Sequence, residues 1–170
     1  MTTYVGLLRA VNVGGRQLKM ADLKRVATEL GLGLPRTFIA SGNLLFVSST
    51  KEAAVKRELE AALEKHMGKV VDVMVRSAAE LDEVVAANPF PKEAGNRVVA
   101  IFLDTAPAAD AASFAKNVTD ERLALGSREI YVHFPSGQGR SKLKIPAAAR
   151  GTARNMKTVA RLAELARELK

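Results

Sequence analysis

A chain of 170 residues, 48% hydrophobic and 26% charged, has the length of one domain or two small intertwined ones and buries a core without staples. It has no Cys, which excludes disulfides and thiolate metal ligands, and only His66 and His133, which argues against a zinc site or a His-based hydrolase. The formal net charge of +8 points instead to an anionic partner.

Tyr4 to Leu8 reads as a buried strand, broken at Val13-Gly14-Gly15. Met20, Leu23, Val26, Ala27 and Leu30 recur at helical spacing until Gly31 and Gly33. Thr37 to Ala40 is a short strand, Ser41-Gly42-Asn43 a hairpin turn, and Leu44 to Val47 the returning strand. Ser49 with Glu52 resembles a capping box before a helix that carries Val55, Leu59, Ala62, Leu63 and His66 on one face and stops at Gly68. Val70 to Val75 is a strand. The order strand, helix, strand, strand, helix, strand is that of the ferredoxin-like split βαβ unit.

A second capping-box pattern, Ser77 with Glu80, opens a helix with Leu81, Val84 and Val85. Asn88-Pro89-Phe90-Pro91 is a stiff connector, Arg97 to Leu103 a strand, and Pro107 suits the first turn of a helix through Phe114. Leu123 and Leu125 lead to a turn at Gly126-Ser127. Ile130, Val132 and Phe134 then alternate on one face of a strand, which places His133 on the exposed face. Val159, Leu162, Ala163, Ala166 and Leu169 line a terminal helix.

The second half repeats the order of the first without a closing strand. The expected fold is α+β, with two intertwined ferredoxin-like (βαββα) halves from a degenerate duplication, residues 1–76 and 77–170, packed as one compact unit and sharing strands. No apolar run approaches the roughly 20 residues of a membrane helix. The N-terminus begins as a strand rather than a signal peptide, so the expected location is the cytoplasm.

Positive charge is concentrated. Between Glu129 and Glu164 there is no Asp or Glu, and the tract holds seven bases: Arg140, Lys142, Lys144, Arg150, Arg154, Lys157 and Arg161. Met1 to Ala21 is also free of acids and holds Arg9, Arg16 and Lys19.

Four polar clusters carry the candidate chemistry. In Leu8 to Arg16, Gly14 and Gly15 follow a strand and can bring backbone N–H groups to a ligand beside Asn12, or can simply turn the chain. In Ile39 to Phe46, Ser41 and Asn43 can present a hydroxyl and an amide, or only form a hairpin. Pro135 to Lys144 alternates glycines, hydroxyls and cations; Arg140, Ser141 and Lys142 suit a phosphate cradle or a solvated basic loop, and the ending of a Walker motif is missing. Gly151 to Val159 opens the last helix, where Thr152 or Asn155 can cap it. Arg154 and Lys157 there oppose the helix dipole, which marks an anion site unless Arg154 pairs with an acid.

The ordered stretches LRAVNVGG, FIASGNLLF, GRSKL and GTARNMKTV resemble the bacterial domain-of-unknown-function 1697 family over essentially the whole chain. The resemblance implies a cytosolic α+β protein of duplicated, ferredoxin-related architecture and supplies no reaction, substrate or cofactor. Ala10, Ala40 and Met156 stand where the family pattern has Gly, Gln and Trp.

The expectation is therefore an anion site gathering Asn12, Gly14, Gly15, Ser41, Asn43, Arg140, Ser141, Lys142, Arg154 and Asn155, for a phosphorylated small molecule or a nucleic-acid backbone. No metal, cofactor or membrane is implied. The strands lack the aromatic pattern of an RNA-recognition sheet. The alternatives are an enzyme using Arg and Lys to stabilise charge in phosphoryl or acyl chemistry, and a protein-interaction module. On this reading Arg140 and Arg154 are replaceable by Ala with little loss of fold.

Overall fold

The computed structural model describes residues 1–9, 17–39 and 42–169. Among them the chain forms eight strands and four α-helices, an α+β protein with two four-stranded antiparallel sheets. Its residues cluster into two units, Met1–Leu81 with Leu162–Lys170, and Asp82–Arg161.

The first unit holds β1 (Thr2–Leu8), α1 (Met20–Glu29), β2 (Gly33–Thr37), β3 (Asn43–Ser48), α2 (Glu52–Met67) and β4 (Val73–Ser77), with strand order β2-β3-β1-β4. Period-two alternation sends Tyr4, Leu8, Leu44, Phe46, Val73 and Val75 to one face of the sheet. Helical spacing brings Leu23, Val26 and Ala27 of α1 and Val55, Leu59 and Leu63 of α2 onto that face. Gly68 ends α2 in the left-handed conformation at φ 71°, its N–H donating to the Glu64 carbonyl at 2.8 Å. The Ser49–Glu52 capping box does not form, because α2 begins at Glu52 itself and the Ser48 hydroxyl accepts from the Thr50 N–H at 3.0 Å. Lys56 Nζ donates to Glu60 at 2.7 Å and to the Val73 carbonyl at 2.6 Å, while the Val73 N–H donates to Glu60 at 2.9 Å, so α2 is fastened to β4 by side chains as well as by its apolar face.

At the end of β4 the second capping box is complete. The Ser77 N–H donates to Glu80 at 2.9 Å and the Glu80 N–H donates to the Ser77 hydroxyl at 3.1 Å, which starts α3 (Ala78–Ala86). The second sheet follows: β5 (Val98–Phe102), β6 (Arg122–Leu125), β7 (Glu129–His133) and β8 (Thr152–Asn155), in the order β6-β7-β5-β8, before α4 (Met156–Glu168).

Three expectations are corrected here. The helix from Pro107 is reduced to a 3-10 turn, Ala111–Phe114. The closing strand exists: Thr152 to Asn155 pairs antiparallel with β5, so this stretch is β8 rather than the first turn of the last helix. Each sheet draws its strands from one stretch of chain, and among the described residues none is shared.

Both faces of the second sheet are covered. Val99, Ile130, Val132 and Phe134 form one face, with Leu143 and Ile145 packed on it. Ala100, Phe102, Tyr131, His133 and Arg154 lie on the other and are also buried. The Tyr131 hydroxyl donates to the Val84 carbonyl of α3 at 2.8 Å. Burial, helped by the charge of Glu129, pushes its phenol up to about 12, so it stays a neutral donor.

Gly151 has a packing reason. A Cβ there would meet Ile101 Cγ2 at 2.7 Å and the Phe102 carbonyl at 3.0 Å, so only glycine lets the chain enter β8 this close to β5. Gly151→Ala is expected to destabilise by about 1–3 kcal/mol, read as a lower urea midpoint. An unchanged midpoint would mean that the strands separate at no cost.

Candidate functional site

Four of the ten residues marked by sequence, Asn12, Gly14, Gly15 and Ser41, lie outside the described residues. At the last described residue before the first of these stretches, the Arg9 N–H donates to the Asp72 carbonyl at 2.9 Å, and its guanidinium stands 3.6 Å from the Asp72 carboxylate. Asn43 opens β3 fully buried. Its Nδ2 donates to the Phe38 carbonyl at 2.9 Å and its main-chain carbonyl accepts from the Phe38 N–H at 3.1 Å, so side chain and backbone together tie β3 to Phe38 at the end of β2.

Arg140, Ser141 and Lys142 belong to the second unit, on the segment that leaves β7. A 3-10 turn, Gln138–Arg140, ends with the Ser141 N–H donating to the Gln138 carbonyl at 3.1 Å. The Ser141 hydroxyl accepts from the Leu143 N–H at 3.1 Å, which leaves its own proton free to donate. From there burial alternates: Lys142 and Lys144 are exposed, while Leu143 and Ile145 pack against the apolar cluster. At the start of the segment, the Ser136 hydroxyl donates to the exposed Asp120 carboxylate at 2.5 Å, and this hydrogen bond holds Asp120 below the usual carboxylate range.

Lys144 has a partner that sequence reading missed. It exchanges both backbone hydrogen bonds with Lys116, at 2.8 and 3.0 Å, in an isolated antiparallel bridge. Residues so paired have Cα atoms about 5.5 Å apart, with side chains on the same side. Two like charges therefore sit opposite one another, an arrangement that costs stability. Lys116, Arg140, Lys142 and Lys144 form no ion pair among the described residues.

Arg154 lies on the opposite face of the sheet from the cluster that Leu143 and Ile145 cover. It is buried, and its Nη1 donates to Thr152 Oγ1 at 2.8 Å and to the Ala153 carbonyl at 2.9 Å. Burial lowers its guanidinium to about 10, still charged at neutral pH. Asn155 is the helix cap, its Oδ1 accepting from the Thr158 N–H at 2.9 Å. The conflict with the helix dipole disappears for Arg154, which precedes the helix.

His133 is buried rather than exposed. Its Nδ1 lies 2.9 Å from an Arg122 nitrogen and its Nε2 3.4 Å from a Glu93 carboxylate oxygen. The Phe90 ring lies 5.7 Å from the imidazole and 5.2 Å from the Arg122 guanidinium carbon. A guanidinium only donates, so Nδ1 accepts and Nε2 carries the proton toward Glu93. Nε2 thus reaches the 88–94 connector at Glu93, while Nδ1 bonds Arg122 of β6, whose guanidinium also meets Glu93 and Phe90 of the connector.

In the first unit a cleft of about 470 Å³ opens over Val26, Leu30 and Ala62, rimmed by Arg25, Glu29, Lys65 and His66. His66, 3.7 Å from Asp22, is part of that rim rather than of the core. Among the described residues no cluster of His, Asp or Glu is arranged to hold a metal, and no helix is long and apolar enough to cross a membrane.

Residues 1–131 match the family model described as a protein of unknown function, DUF1697. The basic segment lies beyond that matched part. Among solved structures, conserved bacterial protein SP0830 from Streptococcus pneumoniae is 25% identical with a TM-score of 0.81, the match covering 97% of this chain and 98% of that one. No curated protein matches the chain.

Proposed function

The chain belongs to the DUF1697 family, proteins of unknown function, so its chemistry has to come from its own residues, and we propose that it binds a phosphate-bearing anion on the exposed basic segment of its second unit. The Lys116–Lys144 pair carries this reading. Two lysines on one side of a bridge, neither forming an ion pair among the described residues, repel one another, and an anion between them relieves that repulsion. Arg140 adds a planar fork suited to phosphate, Lys142 a further charge, and Ser141 a free hydroxyl proton. On this reading Asn43, Arg154 and Asn155 serve the fold.

The scaffold reading is a ferredoxin-like pair of halves. The order β2-β3-β1-β4 is the split βαβ order, and β6-β7-β5-β8 repeats it position for position with both of its connecting helices reduced to 3-10 turns. That correspondence supports a degenerate duplication.

The test uses inorganic tripolyphosphate. The wild-type chain is expected to bind it in calorimetry at low salt, and more weakly as salt rises. The double variant Lys116→Gln, Lys144→Gln should bind about tenfold less tightly and be slightly more stable, by about 0.2–1 kcal/mol, because a like-charge pair has been removed. Undiminished binding by the double variant would remove the basis of the proposal.

A further inference from the structure

We propose that the anion this segment binds is a single-stranded nucleic acid, with Phe114 as the platform on which a base stacks. The inference rests on the anion-binding reading and names its ligand. Phe114 is 59% exposed and is the only aromatic ring among the exposed large apolar residues of the described chain. It stands two residues from Lys116, the residue bridged to Lys144, so the bridge brings the backbone of the basic segment to within two residues of an exposed aromatic residue.

The ring is carried on a tied-down turn. Ala111 is buried, its N–H donates to the Ala108 carbonyl at 2.9 Å, and Ser113 donates to the Asp110 carbonyl through both its N–H, at 3.0 Å, and its hydroxyl, at 2.6 Å. A side chain on such a turn loses little freedom when it stacks.

Lys142 and Lys144 are alternate residues on the exposed side of an extended segment, about 7 Å apart, and can follow a sugar–phosphate backbone. A duplex hides its base faces in the stack, so an exposed ring gains nothing from it, whereas an unpaired base offers a face to any aromatic ring. The aromatic residues of the second sheet, Phe102 and Tyr131, are buried, so stacking falls to the loop rather than to the sheet. A lipid surface is the poorer fit, because the cations lie on an extended segment and not on an amphipathic helix.

The chain contains no Trp, so Phe114→Trp introduces the only indole. Its fluorescence should be quenched by an oligothymidylate of roughly 12 nucleotides and left unchanged by the matching duplex. In anisotropy, Phe114→Ala should weaken oligothymidylate binding about tenfold while tripolyphosphate binding stays at the wild-type level. An unquenched indole, equal affinity for single strand and duplex, or a blue shift on anionic phosphatidylserine vesicles in place of quenching would overturn the inference. If tripolyphosphate still binds the wild-type chain in those cases, the anion site survives and only its ligand is wrong. If tripolyphosphate does not bind, the site itself is wrong.

Discussion

Arg154→Ala is expected to lower the stability of the second unit by about 3 kcal/mol, while Arg140→Ala changes it by less than about 0.5 kcal/mol. The two arginines look equivalent in the acid-free tract, and their surroundings separate them. Arg140 is exposed at the end of a short turn. Arg154 is a buried cation whose guanidinium donates to Thr152 Oγ1 and to the Ala153 carbonyl. Truncation removes charge-assisted hydrogen bonds, takes this donor from the buried Thr152 hydroxyl and empties the space of the aliphatic stem. For a chain of this length the loss corresponds to a fall of about 6–12 °C in Tm. Lys should not rescue it, since one ammonium cannot reproduce the guanidinium fork. Equal melting of Arg154→Ala and wild type would show that this buried charge contributes nothing net to the fold.

His133→Ala is expected to cost about 2–4 kcal/mol and to loosen the 88–94 connector. The imidazole fills the space beneath Phe90 and links Arg122 to Glu93. Arg122 and Glu93 are 57% and 41% exposed and recover hydration once freed, so most of the loss comes from the cavity and the lost ring contact. His133→Phe keeps the ring contact without the polar ones and should recover about half. Urea melts measure the cost, and limited proteolysis reads the connector, which should be cut faster in the Ala variant. Wild-type stability together with wild-type cleavage would show that the connector is held by its prolines alone.

Most signals that act within one turn of chain were legible. The Ser77–Glu80 box and the stop at Gly68 are as read, and Asn155 is the cap of the two residues offered; the Ser49–Glu52 box fails because α2 starts at Glu52 itself. Signals that depend on what covers a surface were not. Ile130, Val132 and Phe134 alternate with Tyr131 and His133, and alternation assigns residues to faces without saying whether a face is wet. Here both faces are buried, so His133 lies inside. The closing strand was hidden by its brevity and by the helix cap at its last residue: Thr152-Ala153-Arg154-Asn155 has no apolar repeat, and its buried members are a hydroxyl and a guanidinium. The basic tract was visible as composition. That Arg154 faces inward, while Lys144 meets Lys116 from a different loop, is set by contacts between distant segments, and no local pattern encodes them.

The link between α2 and β4 bears on how the protein behaves in a crowded solution. β4 is the last strand on its side of the first sheet. A terminal strand offers outward-pointing amides and carbonyls that any extended segment of another molecule can pair with, and sheets grow uncontrolled by that route. At Val73 both outward groups are already taken, the amide by Glu60 and the carbonyl by Lys56. A strand pairing at Val73 would have to displace a charged pair to gain its hydrogen bonds there, so the residues that dock a helix also guard this end of the sheet edge against a neighbour.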